Sequence, residues 1–130
     1  MPIKIVRSAD CGNSPKNLLV QALVIAIETS NRAAFTRCVS DEVTWAVPGR
    51  RSFAGRAAAL AFLTARRADK PHKLIVLRAL SHGHSGAGDG IVLLASGLTR
   101  NFCHVVDFTN ARGSRIANIS SYYSDLGDSS

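Results

Sequence analysis

The sequence predicts an α+β domain in which helices pack on a sheet of consecutive antiparallel strands. Three observations carry this. Apolar residues recur at helical spacing through the first half of the chain, and the period changes to strand-like alternation after Pro71. The strand-like segments beyond that point follow one another at hairpin distances. With 130 residues, 46% of them hydrophobic, the chain suits one domain that buries its own core.

Residues 1–14 read as a loose lead-in. Ser14-Pro15 has the form of an N-cap followed by proline at the first helical position, where the missing N–H costs nothing. Up to about Thr29, Leu19, Ala22, Leu23, Ala26 and Ile27 repeat at helical spacing, while Leu18, Val20, Val24 and Ile25 widen the apolar surface. Such a helix is buried on most sides. Ser30-Asn31 breaks it, and Asn31 caps a second short helix through Ala33, Ala34, Phe35 and Cys38. Val43-Thr44-Trp45-Ala46-Val47 is a strand by its β-branched and aromatic content, and Pro48-Gly49 ends it. Gly55 leads into a third helix of strong helix formers from Arg56, with Leu60 and Leu63 on one face and Phe62 near its edge.

After Pro71, residues 73–80 and 91–98 are apolar strands, and the Gly-rich segment 81–90 between them reads as a flexible loop. Gly97 inside the second of these hints at a bulge or bend. Residues 101–108 and 115–123 complete a hairpin around 109–114. One domain is expected over 15–125, with a short tail at 126–130.

Composition removes several classes of function. Cys11, Cys38 and Cys103 are odd in number and lack C-x-x-C spacing, which argues against a disulfide framework and a structural zinc site. The N-terminus lacks a signal-peptide pattern. The longest apolar run, residues 18–27, is too short for a bilayer, which needs about 20 residues. A soluble cytoplasmic protein without membrane contact is therefore expected. Net charge is +7, and half of the 16 basic residues fall between Arg50 and Arg78 against one acid, Asp69. That bias fits either a solvated face or an anionic partner. Nucleic acid is not expected, because aromatic residues do not interleave with the basic run as a stacking platform requires.

Several stretches together resemble the nuclear transport factor 2-like superfamily, and within it the SnoaL-like group. They are Asp41-Glu42-Val43-Thr44-Trp45-Ala46-Val47-Pro48-Gly49, then Phe53-Ala54-Gly55-Arg56 with its Ala-rich helix. His104-Val105-Val106-Asp107-Phe108, Gly113, Arg115-Ile116 and Tyr122-Tyr123-Ser124-Asp125 follow in the order of the family's closing hairpin. The resemblance implies a cystatin-like cone, with a strongly curved antiparallel sheet wrapped around the N-terminal helices and a pocket inside. It also implies a homodimer through the outer sheet face. Strand segments that are apolar on both faces agree, since both must then be covered.

Alternation places Phe102, His104, Val106 and Phe108 on one strand face, opposite Cys103, Val105 and Asp107. On the closing strand Ile119, Ser121 and Tyr123 share a face. The resemblance turns the His104 and Tyr123 faces into the cone, with Trp45, Val47, Phe53 and Phe62 as its apolar wall and Val106, Ile119 and Ser121 beside them. Trp45 is equally at home as plain core. Measured against the family's ketosteroid isomerases, the positions of the base, the tyrosine acid and the second acid are Val47, Leu23 and His104. Two of the three functional groups are hydrocarbon, so that mechanism is disfavoured.

His104 remains as a candidate general acid/base, with Ser121 or Tyr123 holding its second nitrogen. The expected function is binding of a small, largely apolar organic ligand, with cofactor-free cyclase, isomerase or dehydratase chemistry through His104 and Tyr123. The alternatives are a non-catalytic binding module in which His104 is a satisfied core histidine, and a basic binder of nucleic acid or an anionic ligand. No metal site is expected from His72, His82 and His84, because three or four converging donors are needed. Arg50 and Arg51 stand where the mouth of the cone is expected.

Overall fold

A computed structural model describes residues 3–9, 14–66 and 70–127, the side chains at 126 and 127 excepted. Cys11, Arg67, Asp69 and tail residues 128–130 lie outside the described residues. The elements run β1 (Lys4–Val6), α1 (Pro15–Glu28), α2 (Arg32–Cys38), β2 (Val39–Val47), β3 (Arg51–Ala54) and α3 (Arg56–Ala65). They continue with β4 (Pro71–His82), β5 (Ser85–Leu94), β6 (Thr99–Phe108) and β7 (Ile116–Gly127).

Local chemistry sets the helix starts. The Ser14 hydroxyl accepts from the Asn17 N–H at 3.2 Å, and the Asn31 carboxamide accepts from the Ala34 N–H at 3.1 Å. Between α1 and α2, Ser30 adopts φ +53, which stops one helix before the next is capped.

The seven strands form one sheet in the order β1-β4-β5-β6-β7-β2-β3. Its centre, β4 to β7, is antiparallel as the sequence predicts, but both flanks join in parallel: β1 on β4 and β2 on β7. The sheet is therefore mixed. The lead-in also departs from expectation, because Lys4, Ile5 and Val6 pair with Lys73, Leu74 and Ile75. Three residues are too few for an alternation signal. The closing strand likewise runs into the expected tail, ending at Gly127.

The Gly-rich segment is not a loop. β4 and β5 meet at a tight turn over Gly83 and His84, and Gly86, Gly88 and Gly90 lie inside β5. All three are buried on the face beneath α1. A Cβ at Gly88 would stand 2.8 Å from a Val24 methyl, and one at Gly90 would stand 2.0 Å from the Ile75 carbonyl oxygen. Glycine at every second position lets the helix and the neighbouring strand come this close. Gly97 lies in the β5–β6 turn with φ +97, not within a strand.

The helices cover the concave face. Val20, Leu23, Ile27, Phe35, Trp45, Leu63, Ile116 and Ile119 form one fully buried cluster, and Val24, Leu74, Val76, Val92 and Phe102 a second. Burying each large side chain contributes roughly 1.5–3 kcal/mol. Register shifts within the β4–β5, β6–β7 and β2–β7 pairings mark bulges, the irregularities that bend a sheet.

Candidate functional site

One polar cluster interrupts this core. Glu28 is the last residue of α1, His104 lies on β6, and Ser121 and Tyr123 lie on β7. Pairing of His104 with Ser121 and of Phe102 with Tyr123 aligns the two strands so that these side chains meet on the concave face. Trp45 reaches them from β2, the neighbour of β7. Arg66 comes from the C-terminal end of α3.

The hydrogen bonds form a chain. Trp45 Nε1–H donates to Ser121 Oγ at 2.8 Å. Ser121 Oγ lies 2.7 Å from His104 Nδ1, and His104 Nε2 lies 2.6 Å from Glu28 Oε2. The Tyr123 hydroxyl donates to the same Oε2 at 3.1 Å. Arg66 Nη2 donates to the Tyr123 oxygen and stands 3.8 Å from Glu28 Oε1, while its Nη1 donates to the Ile27 carbonyl at 3.2 Å. The Arg66 guanidinium also faces the rings of Tyr123, Trp45 and Phe62, at 5.0, 5.9 and 5.9 Å. Among the described residues no buried side-chain nitrogen or oxygen lacks a partner.

Donor accounting fixes one proton. A carboxylate only accepts, so Nε2 carries the hydrogen toward Glu28. The serine allows two states at Nδ1. Its hydroxyl donates to a neutral imidazole while accepting from Trp45, or accepts from both when Nδ1 is protonated. The first state pairs every buried group of the cluster, whereas in the second the serine's own hydrogen finds no acceptor among the described residues.

Electrostatics follow from the same contacts. Burial pushes the Glu28 carboxyl upward, but the His104 hydrogen bond and charge, then Arg66 and Tyr123, outweigh it and hold it below its ordinary 4.5. Burial first, then the Glu28 charge, raises the Tyr123 phenol well above 10.0, so it remains a donor.

Two cavities flank the cluster. One of about 600 Å³ is lined by Ile27, Glu28, Arg66, Val92, Leu94 and Arg100, with Lys4, Lys70 and His72 at its rim. The other, of about 590 Å³, is lined by Val47, Arg50, Arg51, Phe62, Arg66, Arg100 and Tyr123. Arg66 and Arg100 belong to the wall between them.

Against this geometry the expected residues separate into groups. His104 and Tyr123 come together as expected, their rings 5.7 Å apart edge to face. His104, however, has no exposed surface and both ring nitrogens engaged, so it does not face a ligand directly. Ser121 is equally enclosed and forms the floor behind the second cavity. Val47 and Phe62 line that cavity, and Phe53 stacks behind Phe62 with ring centroids 4.5 Å apart. Trp45, Val106 and Ile119 are closed core, and Phe35 of α2 and Phe62 of α3 pack on the Trp45 ring. Charged groups line much of the two cavities. Sequence reasoning missed Glu28, Arg66 and Arg100. For Glu28 a signal existed: it extends the buried stripe of Gln21 and Val24 by one helical turn.

The basic stretch does not form one surface. Arg50 and Arg51 lie at a cavity rim, Arg56 pairs with Asp41 at 2.8 Å, Arg66 is inside, and Arg78 pairs with Asp89 at 2.7 Å on the outer sheet face. Among the described residues no group of three or more His, Cys, Asp or Glu is placed to hold a metal, and no helix is long and apolar enough to cross a membrane.

No protein-family profile and no curated protein matches the sequence. Solved structures match its fold. A "putative ketosteroid isomerase" from Kribbella flavida superposes with a TM-score of 0.71 at 15% identity, over 85% of this chain and 78% of that one. An NTF-2-like protein of unknown function from Burkholderia xenovorans gives 0.70 at 17% identity, over 92% and 91%. A "putative polyketide cyclase" from Sinorhizobium meliloti gives 0.64 at 14% identity, over 80% and 93%. The class is thereby defined: this chain has the nuclear transport factor 2-like α+β cone fold.

Proposed function

We propose that the chain binds a small organic molecule with an apolar part in the space beside Glu28 and Tyr123, and that these two groups handle a proton of that molecule. The supporting observation is a nearly buried carboxylate, edge-on to a cavity, that accepts at one oxygen from both an imidazole and a phenol. Glu28 is the base and Tyr123 the hydrogen-bond donor to a developing oxyanion. His104 is a positioning residue behind Glu28, and Ser121 and Trp45 fix its ring. This suits cofactor-free isomerase, cyclase or dehydratase chemistry on a carbonyl compound, in keeping with the resemblance to SnoaL-like proteins.

A second reading, binding without catalysis, draws on the complete enclosure of His104 and Ser121. Loss of α-deuterium from a panel of β-diketones, followed by NMR, separates the two. Proton handling predicts exchange above the buffer rate that falls by about 10²–10⁴-fold in Glu28→Gln, and falls also in Tyr123→Phe. If both variants exchange label as fast as the wild type, the proton-handling role is wrong.

The assembly is proposed to be a homodimer through the outer sheet face. Leu77, Leu80, Val105 and Tyr122 leave 46, 51, 41 and 49% of their surfaces exposed there. Exposed apolar side chains gathered on one sheet face support an interaction surface there.

A further inference from the structure

Charge is unevenly placed around the two cavities. Arg66 and Arg100 stand in the shared wall, with Arg50 and Arg51 at one rim and Lys4 and Lys70 at the other. The carboxylates among the described lining residues are Glu28 and Asp125. Both are already engaged. Glu28 Oε2 takes His104 and Tyr123, and Asp125 Oδ1 takes Arg100 Nε at 2.7 Å from a side chain that is 56% exposed.

Arg66 is the telling group. Its side chain is only 15% exposed, yet its approach to Glu28 is 3.8 Å, too long for a hydrogen bond. Its hydrogen bonds go to a neutral carbonyl and a neutral phenol, and three rings box it in. Glu28 is its ion-pair partner at that longer distance, and among the described residues no carboxylate hydrogen-bonds the guanidinium directly, so a second, closer anion can still be matched to it. Arg100, in the same wall, donates only through Nε among the described residues, which leaves its two Nη groups available.

We infer that the ligand is a small organic acid. Its carboxylate lies against Arg66 and Arg100, and its apolar body lies in the first cavity against Ile27, Val92 and Leu94. Guanidinium forks match a planar carboxylate and bind it through paired charge-assisted hydrogen bonds. The net charge of +7 adds a long-range attraction for such a molecule. A carboxylate seated there also places the adjoining carbon skeleton beside Glu28, which lines the same cavity and whose Oε2 accepts from the Tyr123 hydroxyl. The inference rests on the ligand-binding reading above and adds the chemical class of the ligand.

Naphthylacetate and naphthylacetamide share one apolar body and differ in the charged group, so they test it directly. Each is titrated into the full chain while the Val92 and Leu94 methyl signals and the arginine Nε–H signals are followed by NMR. The acid is expected to bind at least about tenfold more tightly than the amide. That advantage is expected to disappear in Arg100→Gln and in Arg66→Gln. Because Arg66 is packed among rings, Arg100→Gln, at a side chain 32% exposed, carries the test if the other variant fails to fold. Equal affinities, or an advantage that survives both variants, would overturn the acid class while leaving ligand binding in place. If neither compound moves the Val92 and Leu94 signals, the ligand-binding reading falls and takes the inference with it.

Discussion

Glu28 occupies a position that local physics disfavours. The last turn of a helix presents unpaired carbonyls and the negative end of the macrodipole, and burial adds a desolvation cost. His104, Tyr123 and Arg66 together reverse that balance and keep the carboxyl below its ordinary 4.5. A group whose pKa is lowered on folding contributes stability that is fully present above its unfolded value and is lost as the pH falls through the folded one. Wild-type stability is therefore expected to decline below about pH 4.5 more steeply than that of Glu28→Gln; parallel denaturation profiles of the two proteins would refute this. Ser121→Ala strands the buried Trp45 N–H and one nitrogen of His104, and is expected to cost about 1–3 kcal/mol in urea denaturation. Of this cluster, His104, Ser121 and Tyr123 were named from the sequence because strand alternation groups residues on one face and the family resemblance turns that face inward. Arg66 was not, because at the end of α3 its long side chain can turn to water or fold inward, and only the rings of Trp45, Phe62 and Tyr123 decide which.

The helices and the strand hairpins were legible at the scale of elements, where caps and periodicity speak locally. Ser14-Pro15 and Asn31 mark helix starts that the structure places at Pro15 and Arg32. β5 was misread because its signal is an absence of side chains. Gly86, Gly88 and Gly90 alternate with Ala87 and Asp89, a period of two that composition alone reports as a loop. The reason lies in a distant element, since α1 must rest on that strand. Gly90→Ala is expected to destabilise by about 3 kcal/mol or more, because the obstructing Ile75 carbonyl belongs to the backbone of the paired strand. Gly97→Ala meets no atom within 4 Å and is strained only by its φ of +97, so it is expected to cost about 1–2 kcal/mol. Equal thermal shifts for the two variants would count against close packing as the reason for the β5 glycines. β1 and β3 escaped notice because three or four residues carry too little pattern, and the parallel flanks depend on which strand each meets in space.

For the whole molecule, the same sheet divides two tasks. Its concave face holds the polar cluster and the cavities, while its convex face carries Leu77, Leu80, Val105 and Tyr122 around the Arg78–Asp89 pair. If the convex face joins two copies, Leu80→Lys with Val105→Glu converts the dimer to a monomer in sedimentation velocity and leaves naphthylacetate binding intact. A wild-type chain that sediments as a monomer at high concentration would end the dimer proposal. Charge also has to be judged at this scale. The sequence shows one basic stretch, but folding sends its members to a cavity rim, a protein interior and an outer sheet face. A run in the chain is therefore not a patch on the surface.

The most direct test of the account is the proton on His104 Nε2, observed by nitrogen-edited NMR in the free protein. Enclosed and directed at Glu28 over 2.6 Å, it should give a far-downfield signal that exchanges slowly with water and moves when Glu28→Gln is made. The exposed His72, His82 and His84 serve as internal references. A His104 signal that exchanges as fast as theirs, or that ignores the loss of the Glu28 charge, would contradict the buried relay on which the proposed chemistry depends.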